Sequence, residues 1–227
     1  MARKQQTKGA CGYCGREMTR GGMARHLRSC EKRQEAIVAA DEKPGENGTF
    51  LHLQVQDAYG GPYWLQLEMD GAATLKKLDS YLRAIWLECC GHLSQFVTGG
   101  WGGRQIGMGR KAADVFRPGV ELTHIYDFGT STETLIKVVD VREGKSTGSK
   151  PMALMARNDP PSFACMECGK EASSLCMECL IEENQEGTLC EKHAKVHPHD
   201  NYGEPLPIVN SPRMGECGYT GPAEPPY

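Results

Sequence analysis

Hydrophobic and polar positions alternate or recur along the middle of the chain with a period that changes twice. Leu51, Leu53 and Val55 alternate with His52 and Gln54, and Tyr63, Leu65, Leu67 and Met69 alternate with Trp64, Gln66 and Glu68. Period-two runs on either side of Gly60-Gly61-Pro62 predict a β-hairpin. The spacing then becomes helical. Leu75, Leu78, Leu82, Ile85, Trp86 and Cys89 form one apolar stripe, which predicts a helix with one buried face and places Cys89, with Cys90 beside it, among core thiols. Alternation returns at Leu122, His124, Tyr126 and Phe128, and again at Leu135, Lys137, Val139 and Val141, with a short last strand over Met152 to Arg157. Strands and helix do not interleave regularly, so an α+β fold is expected rather than a doubly wound one.

Outside this core the pattern fades. The stretch from Glu35 to Gly48 is polar and carries Asp41-Glu42-Lys43-Pro44-Gly45-Glu46-Asn47, which reads as a linker. A second break falls at Asn158-Asp159-Pro160-Pro161-Ser162. Six prolines lie in the last 27 residues, where no regular element is expected. The expected organisation is therefore a front module at 1–34, a linker at 35–48, an α+β domain at 49–157 and a back module with a Pro-rich tail at 158–227. The linker is expected to uncouple the front module from the middle domain, each with its own source of stability.

Charge separates the same segments. The chain of 227 residues has a formal net charge of −3. Residues 1–34 hold nine Lys or Arg against two acids, net +7, while residues 158–227 hold four against twelve, net −8. Such asymmetry marks modules with different partners. No apolar run is long enough to span a membrane, and the first residues lack the apolar stretch of a signal peptide, so a cytoplasmic protein is expected. In that reducing setting eleven cysteines point to metal ligation rather than disulfides.

At the front, Cys11, Cys14, His26 and Cys30 have the spacing C-x2-C-x11-H-x3-C. A C-x2-C turn presents two thiolates to one ion, and His26 and Cys30, four residues apart, share one face of a helix. A module of this size has no sufficient core without metal, and Met23 and Leu27 supply its small apolar packing. The segment resembles a C2HC-type zinc finger. Arg20, Arg25, Arg28, Lys32 and Arg33, with Lys4 and Lys8, make it a candidate for phosphate backbones. The alternative is a solvated helix that docks on protein.

At the back, the unit Cys-Met-Glu-Cys occurs twice, at Cys165–Cys168 and Cys176–Cys179. Cys190, His193, His197, His199 and Cys217 follow, nine candidate ligands where two closed sites need eight. This order of pairs resembles B-box and related cross-brace zinc modules. The resemblance implies one site from Cys165, Cys168, Cys190 and His193, and a second from Cys176 and Cys179 with two of His197, His199 and Cys217. Four-ligand sites leave no position for water and are structural. The acidic charge of this module points to a protein partner, and the expected zinc content of the chain is about three ions.

The middle segment contains His92-Leu93-Ser94-Gln95-Phe96 after the helix, Gly107-Met108, Asp114-Val115-Phe116-Arg117-Pro118-Gly119, and Tyr126-Asp127-Phe128-Gly129-Thr130. Residues 49–157 resemble the plasmid pRiA4b ORF-3-like family of plasmid, mobile-element and bacterial proteins. The resemblance implies a compact α+β roll-like domain and no particular activity. The chain departs from the family pattern at Ser94, Thr130, Thr132 and Thr134. His92, His124 and Asp127 remain as candidates for acid–base or metal chemistry. Tyr126-Asp127-Phe128-Gly129 also suits a strand end and tight turn.

The reading these residues favour is a non-enzymatic, zinc-binding, multi-module protein that touches nucleic acid through its basic finger and protein through its acidic end. An enzyme acting on nucleic acid through His92, His124 and Asp127, and a purely structural adaptor, are the alternatives.

Overall fold

The computed structural model describes residues 7–222. Its fold class is α+β, with 22% helix and 30% strand. Two short strands, β1 (Lys8–Ala10) and β2 (Glu17–Thr19), pair antiparallel and lead into α1 (Arg20–Ser29) and α2 (Glu31–Asp41). The central sheet is built from β3 (Gly48–Asp57), β4 (Trp64–Asp70), β5 (Ser94–Val97), β6 (Gln105–Ile106), β7 (Glu121–Tyr126), β8 (Thr132–Gly144) and β9 (Met152–Arg157). All neighbours are antiparallel, in the order β6-β5-β7-β8-β3-β4-β9. Between β4 and β5 lies α3 (Leu75–Leu82), continued by one π-helical turn, Arg83–Leu87; a short α4 (Ala112–Val115) precedes β7. The back module contains β10 (Ser174–Leu175), α5 (Met177–Ile181), β11 (Thr188–Leu189), α6 (Glu191–Ala194) and β12 (Leu206–Pro207). Among the described residues no helix is long and apolar enough to cross a membrane.

The hairpin pairs Leu51 with Met69, Leu53 with Leu67 and Val55 with Leu65, and all six side chains are buried on the helix side of the sheet. Leu75, Leu78, Leu82, Ile85 and Trp86 pack onto that face and complete the core, as their spacing predicts. The β8 alternation is shifted from its expected face. Ile136, not Leu135, is fully buried opposite Leu122. The register against β3 then slips between His52 and Leu53, so that Val138 and Val141 both reach the core. A β-bulge adds one residue and so reverses which parity faces inward.

The opposite face of the sheet is polar yet covered. His52, Gln66 and Glu68 are buried beneath the N-terminal module. There Cys11, Met23, Leu27 and Cys30 pack with Trp64, Met155 and Ala156 of the sheet. Gly9 allows this approach, since a Cβ there would overlap the carbonyl of Arg157. Gly12 donates its amide to the Met155 carbonyl at 2.8 Å, and the Asp159 amide donates to the Lys8 carbonyl at 2.8 Å.

The segment read as a linker is helical up to Asp41. Glu31-Lys32-Arg33-Gln34-Glu35-Ala36 is rich in helix formers, and Arg33 and Ala40 are buried. The Arg33 Nη2 donates to Glu68 Oε2 at 2.9 Å and its Nη1 to the Leu27 carbonyl at 2.9 Å. Arg142 donates twice more to Glu68, at 3.0 and 2.7 Å. This buried Arg–Glu–Arg arrangement ties α2 to β4 and β8. In the Pro-rich tail, β12 is the one departure from the expected lack of regular structure among the described residues; residues 223–227 lie outside them.

Candidate metal centres

Four groups of Cys and His side chains could each hold a metal ion, and in each the four ligand atoms all lie within 4.8 Å of one another. The eleven cysteines are all free thiols. A tetrahedron with Zn–S of about 2.3 Å and Zn–N of about 2.0–2.1 Å has edges of about 3.8 Å between sulfurs and about 3.3–3.6 Å where nitrogen takes part. The measured edges sit around those values, and the sulfur pairs are far longer than a disulfide of about 2.05 Å.

The first group is Cys11, Cys14, His26 and Cys30. The Cys11 and Cys30 sulfurs are 4.0 Å apart, and Cys14 Sγ is 3.2 Å from His26 Nε2. The thiols lie on the turn between β1 and β2 and at the end of α1. Gly15, at φ 72°, closes the turn with its amide on the Cys11 carbonyl at 2.8 Å. Burial pushes the Cys11 thiol up, whereas the backbone amide of Arg16 draws the exposed Cys14 thiol down.

The back module holds two interleaved groups. Cys165, Cys168, Cys190 and His193 form one, with Cys165 Sγ 3.3 Å from His193 Nδ1 and the Cys168 and Cys190 sulfurs 3.9 Å apart. Burial raises the Cys165 thiol, but the Cys190 amide, His193 and the amides of the turn outweigh it and bring it down to about 6. Cys176, Cys179, His197 and His199 form the other. Cys179 Sγ is 3.2 Å from both His197 Nε2 and His199 Nδ1, and the two nitrogens are 3.2 Å apart. First and third pairs, and second and fourth, thus meet, as in a cross-brace.

Cys217 does not compete for this second site. It belongs to a fourth group with Cys89, Cys90 and His92. Cys89 and Cys90 are therefore not simple core thiols: Cys89 is half-buried and Cys90 exposed. The π-helical turn itself stays buried through Leu87, and Cys89 still packs against the edge of the core, whereas Cys90 points away from it. The side-chain contact with Cys217, then burial, raises the Cys90 thiol to about 12. Neighbouring vicinal cysteines carried no metal spacing in the sequence, and no local signal joined them to Cys217.

His92, His124 and Asp127 do not converge on one cleft. His124 is fully buried, with Nε2 2.8 Å from Asp79 Oδ1 and its ring against Phe96. Asp127, at φ 65°, lies 3.4 Å from His92 but receives Arg213 Nη2 at 2.7 Å. The fully buried Arg213 also donates to the Thr130 carbonyl and Thr132 Oγ1, so the tail fills the space beside Asp127.

The expected nucleic-acid side chains also divide. Arg33 is not on the basic surface expected of it: it is buried against Glu68, where it supplies the counter-charge for that carboxylate beneath α2. Lys32 pairs with Glu35, and Arg28 lies 3.8 Å from Asp140. Arg20 and Arg25 instead line a groove of about 580 Å³ together with Lys137, Gln54, Gln56 and Trp64. No carboxylate lines it among the described residues. Lys4 lies outside the described residues.

No family model matches the chain, and no curated protein matches it. Among solved structures it is similar to a protein of unknown function from Methanosarcina mazei Go1, at 18% identity and a TM-score of 0.40, over 46% of this chain and 66% of that one.

Proposed function

We propose that the chain is a zinc-organised, nucleic-acid-binding protein whose middle domain belongs with the pRiA4b ORF-3-like proteins. Zinc suits the first three groups by donor chemistry, since thiolate and imidazole in closed sets of four are its structural ligands. A cytoplasmic, reducing setting keeps such thiols available.

The observation that carries the nucleic-acid reading is the groove beside the start of α1. Arg20 and Arg25 project there without an ion-pair partner among the described residues, and Lys137 adds a third cation that also meets Glu121. The Thr19 side chain does not cap α1, and Gly21 and Gly22 of its first turn line the same groove. Guanidinium groups and a helix N-terminus both favour phosphate oxygens. Gln54 and Gln56 also line the groove, with Gln54 Nε2 donating to Gln56 Oε1 at 3.0 Å. Binding should be steep in salt and weak in sequence preference, because the cations contact backbone rather than base edges.

The back module supports a protein contact. It carries the acidic charge of the chain and exposes Leu180, Ile181, Val196 and Tyr202. Metal there is structural and holds this surface in shape.

The test of the nucleic-acid reading is a salt titration of the full chain, zinc-loaded, against mixed-sequence duplex and single strands. Replacing Arg20 and Arg25 by Ala together should weaken binding about ten-fold or more at low salt and reduce the salt slope by about 2. Absence of binding at low salt, or binding unchanged by the double substitution, would overturn it.

A further inference from the structure

We propose that Cys89, Cys90, His92 and Cys217 form a fourth zinc centre, a clasp that fastens the C-terminal tail to the middle domain. The four ligand atoms come from segments more than 120 residues apart and nevertheless converge. The Cys89 and Cys90 sulfurs are 3.8 Å apart and those of Cys90 and Cys217 3.6 Å apart. His92 Nε2 lies 2.9 Å from Cys90 Sγ and 3.3 Å from Cys217 Sγ. These are edges of one small polyhedron around a common centre, with the soft donor set that selects zinc over hard cations.

The surroundings hold each ligand in place. The carboxylate of Glu88 accepts the Gly91 amide at 2.7 Å and the Tyr126 hydroxyl at 3.2 Å, which shapes the loop from Cys89 to His92. Arg213 Nη2 lies 3.6 Å and Tyr126 Oη 3.7 Å from Cys89 Sγ. Both can donate to a thiolate, and the guanidinium offsets the net negative charge of a zinc ion with three thiolates. Cys217 sits at φ 50°, a conformation that costs a non-glycine residue energy and persists where the surroundings demand it.

The tail is already aligned for this attachment. Ser211 Oγ donates to the Trp86 carbonyl at 2.6 Å, Asn158 Nδ2 donates to Asn210 Oδ1, and Asn210 Nδ2 donates to the Asn158 carbonyl. Arg213 is inserted between Asp127 and Thr132. Zinc at Cys217 would close this strap at its far end. None of the four ligands is buried, whereas each of the other three groups has at least two buried ligands. The clasp is thus the centre most open to chelators and the first to release its ion.

Zinc analysis of the full chain, purified under reducing conditions and desalted, should find four ions per chain in the wild type and three in Cys217→Ser. Cys217→His, which keeps a ligand, should retain four. Hydrogen exchange over residues 208–222 should accelerate in Cys217→Ser and on mild chelation of the wild type, and recover when zinc is returned. Three ions in the wild type, no loss in Cys217→Ser, or an equal loss in Cys217→His would overturn the clasp. A Cys90–Cys217 disulfide in place of the fourth ion under these reducing conditions would do the same. Nucleic-acid binding through Arg20 and Arg25 is read separately, so failure of the clasp leaves that reading untouched.

Discussion

In the N-terminal module, Met23 and Leu27 pack against Trp64, Met155 and Ala156 of the central sheet, whereas the C-terminal module packs Leu189, Met166 and Ala194 around its own Cys176 and Cys179. The ligand chemistry is alike, but the apolar support is not. A module whose few apolar side chains lie among its ligands depends on metal for nearly all its folding free energy. A finger laid on a sheet borrows the sheet's core, and in return covers a polar face that would otherwise need water.

The largest effect that separates the two should come from the cross-brace. Cys179→Ser should remove an interaction on the order of 10 kcal/mol, by analogy with finger peptides. Hydrogen exchange should then show loss of protection over residues 165–207 while the sheet at 48–157 keeps its own. The matching change in the finger, Cys14→Ser, should instead loosen β9 and Trp64 as well as residues 8–30, because the two sides share one cluster. Protection of β9 unaffected by Cys14→Ser would mean that finger and sheet are independent after all.

Next in size is the buried Arg33–Glu68–Arg142 arrangement. Glu68→Ala leaves two guanidinium groups beneath α2 without their carboxylate, one of them almost wholly buried. Removing one partner of a buried pair costs about 3–5 kcal/mol. Denaturant unfolding of the zinc-loaded chain should show that loss, and a change under 1 kcal/mol would show that α2 is only loosely seated.

The smallest effect is set by pH. Burial, only partly offset by the bond to Gln66, pulls the His52 imidazole down to about 4. In the unfolded chain it titrates near 6.5, so between those values the unfolded state binds more protons. Stability is full above pH about 6.5 and falls as pH drops towards 4. At pH 5.5 the loss is about 1.4 kcal/mol, one pH unit below the unfolded value. Comparing the wild type with His52→Gln between pH 7.5 and 5.5 isolates this contribution from acid release of metal, which both chains share. Equal slopes would show that water reaches His52 and that the finger does not seal the sheet.

Much of this architecture was legible because its signals are local. Leu51 to Val55 and Leu65 to Met69 alternate, Leu75 to Trp86 recur at helical spacing, and both periods survive packing because they match the strand and helix repeats. The ligand pairs Cys11–Cys14, Cys165–Cys168 and Cys176–Cys179 are equally local, since a single turn brings each pair together. Other features left no local signal. The bulge opposite His52 reversed the inward parity of β8, which alternation alone does not reveal. The helix through Asp41 hid in a polar stretch, because its buried contacts, Arg33 above all, are charged rather than apolar.

By itself, then, the sequence determined the α+β core elements and the cysteine pairs Cys11–Cys14, Cys165–Cys168 and Cys176–Cys179, whose signals are local. Tertiary structure alone decided the rest. It placed the finger over the polar face of the sheet, removed Arg33 from the surface, and carried Cys217 away from the cross-brace to Cys89, Cys90 and His92. The reason is that a contact across more than 120 residues leaves no periodic trace in the chain: it exists only once strands, helix and tail have each taken their places.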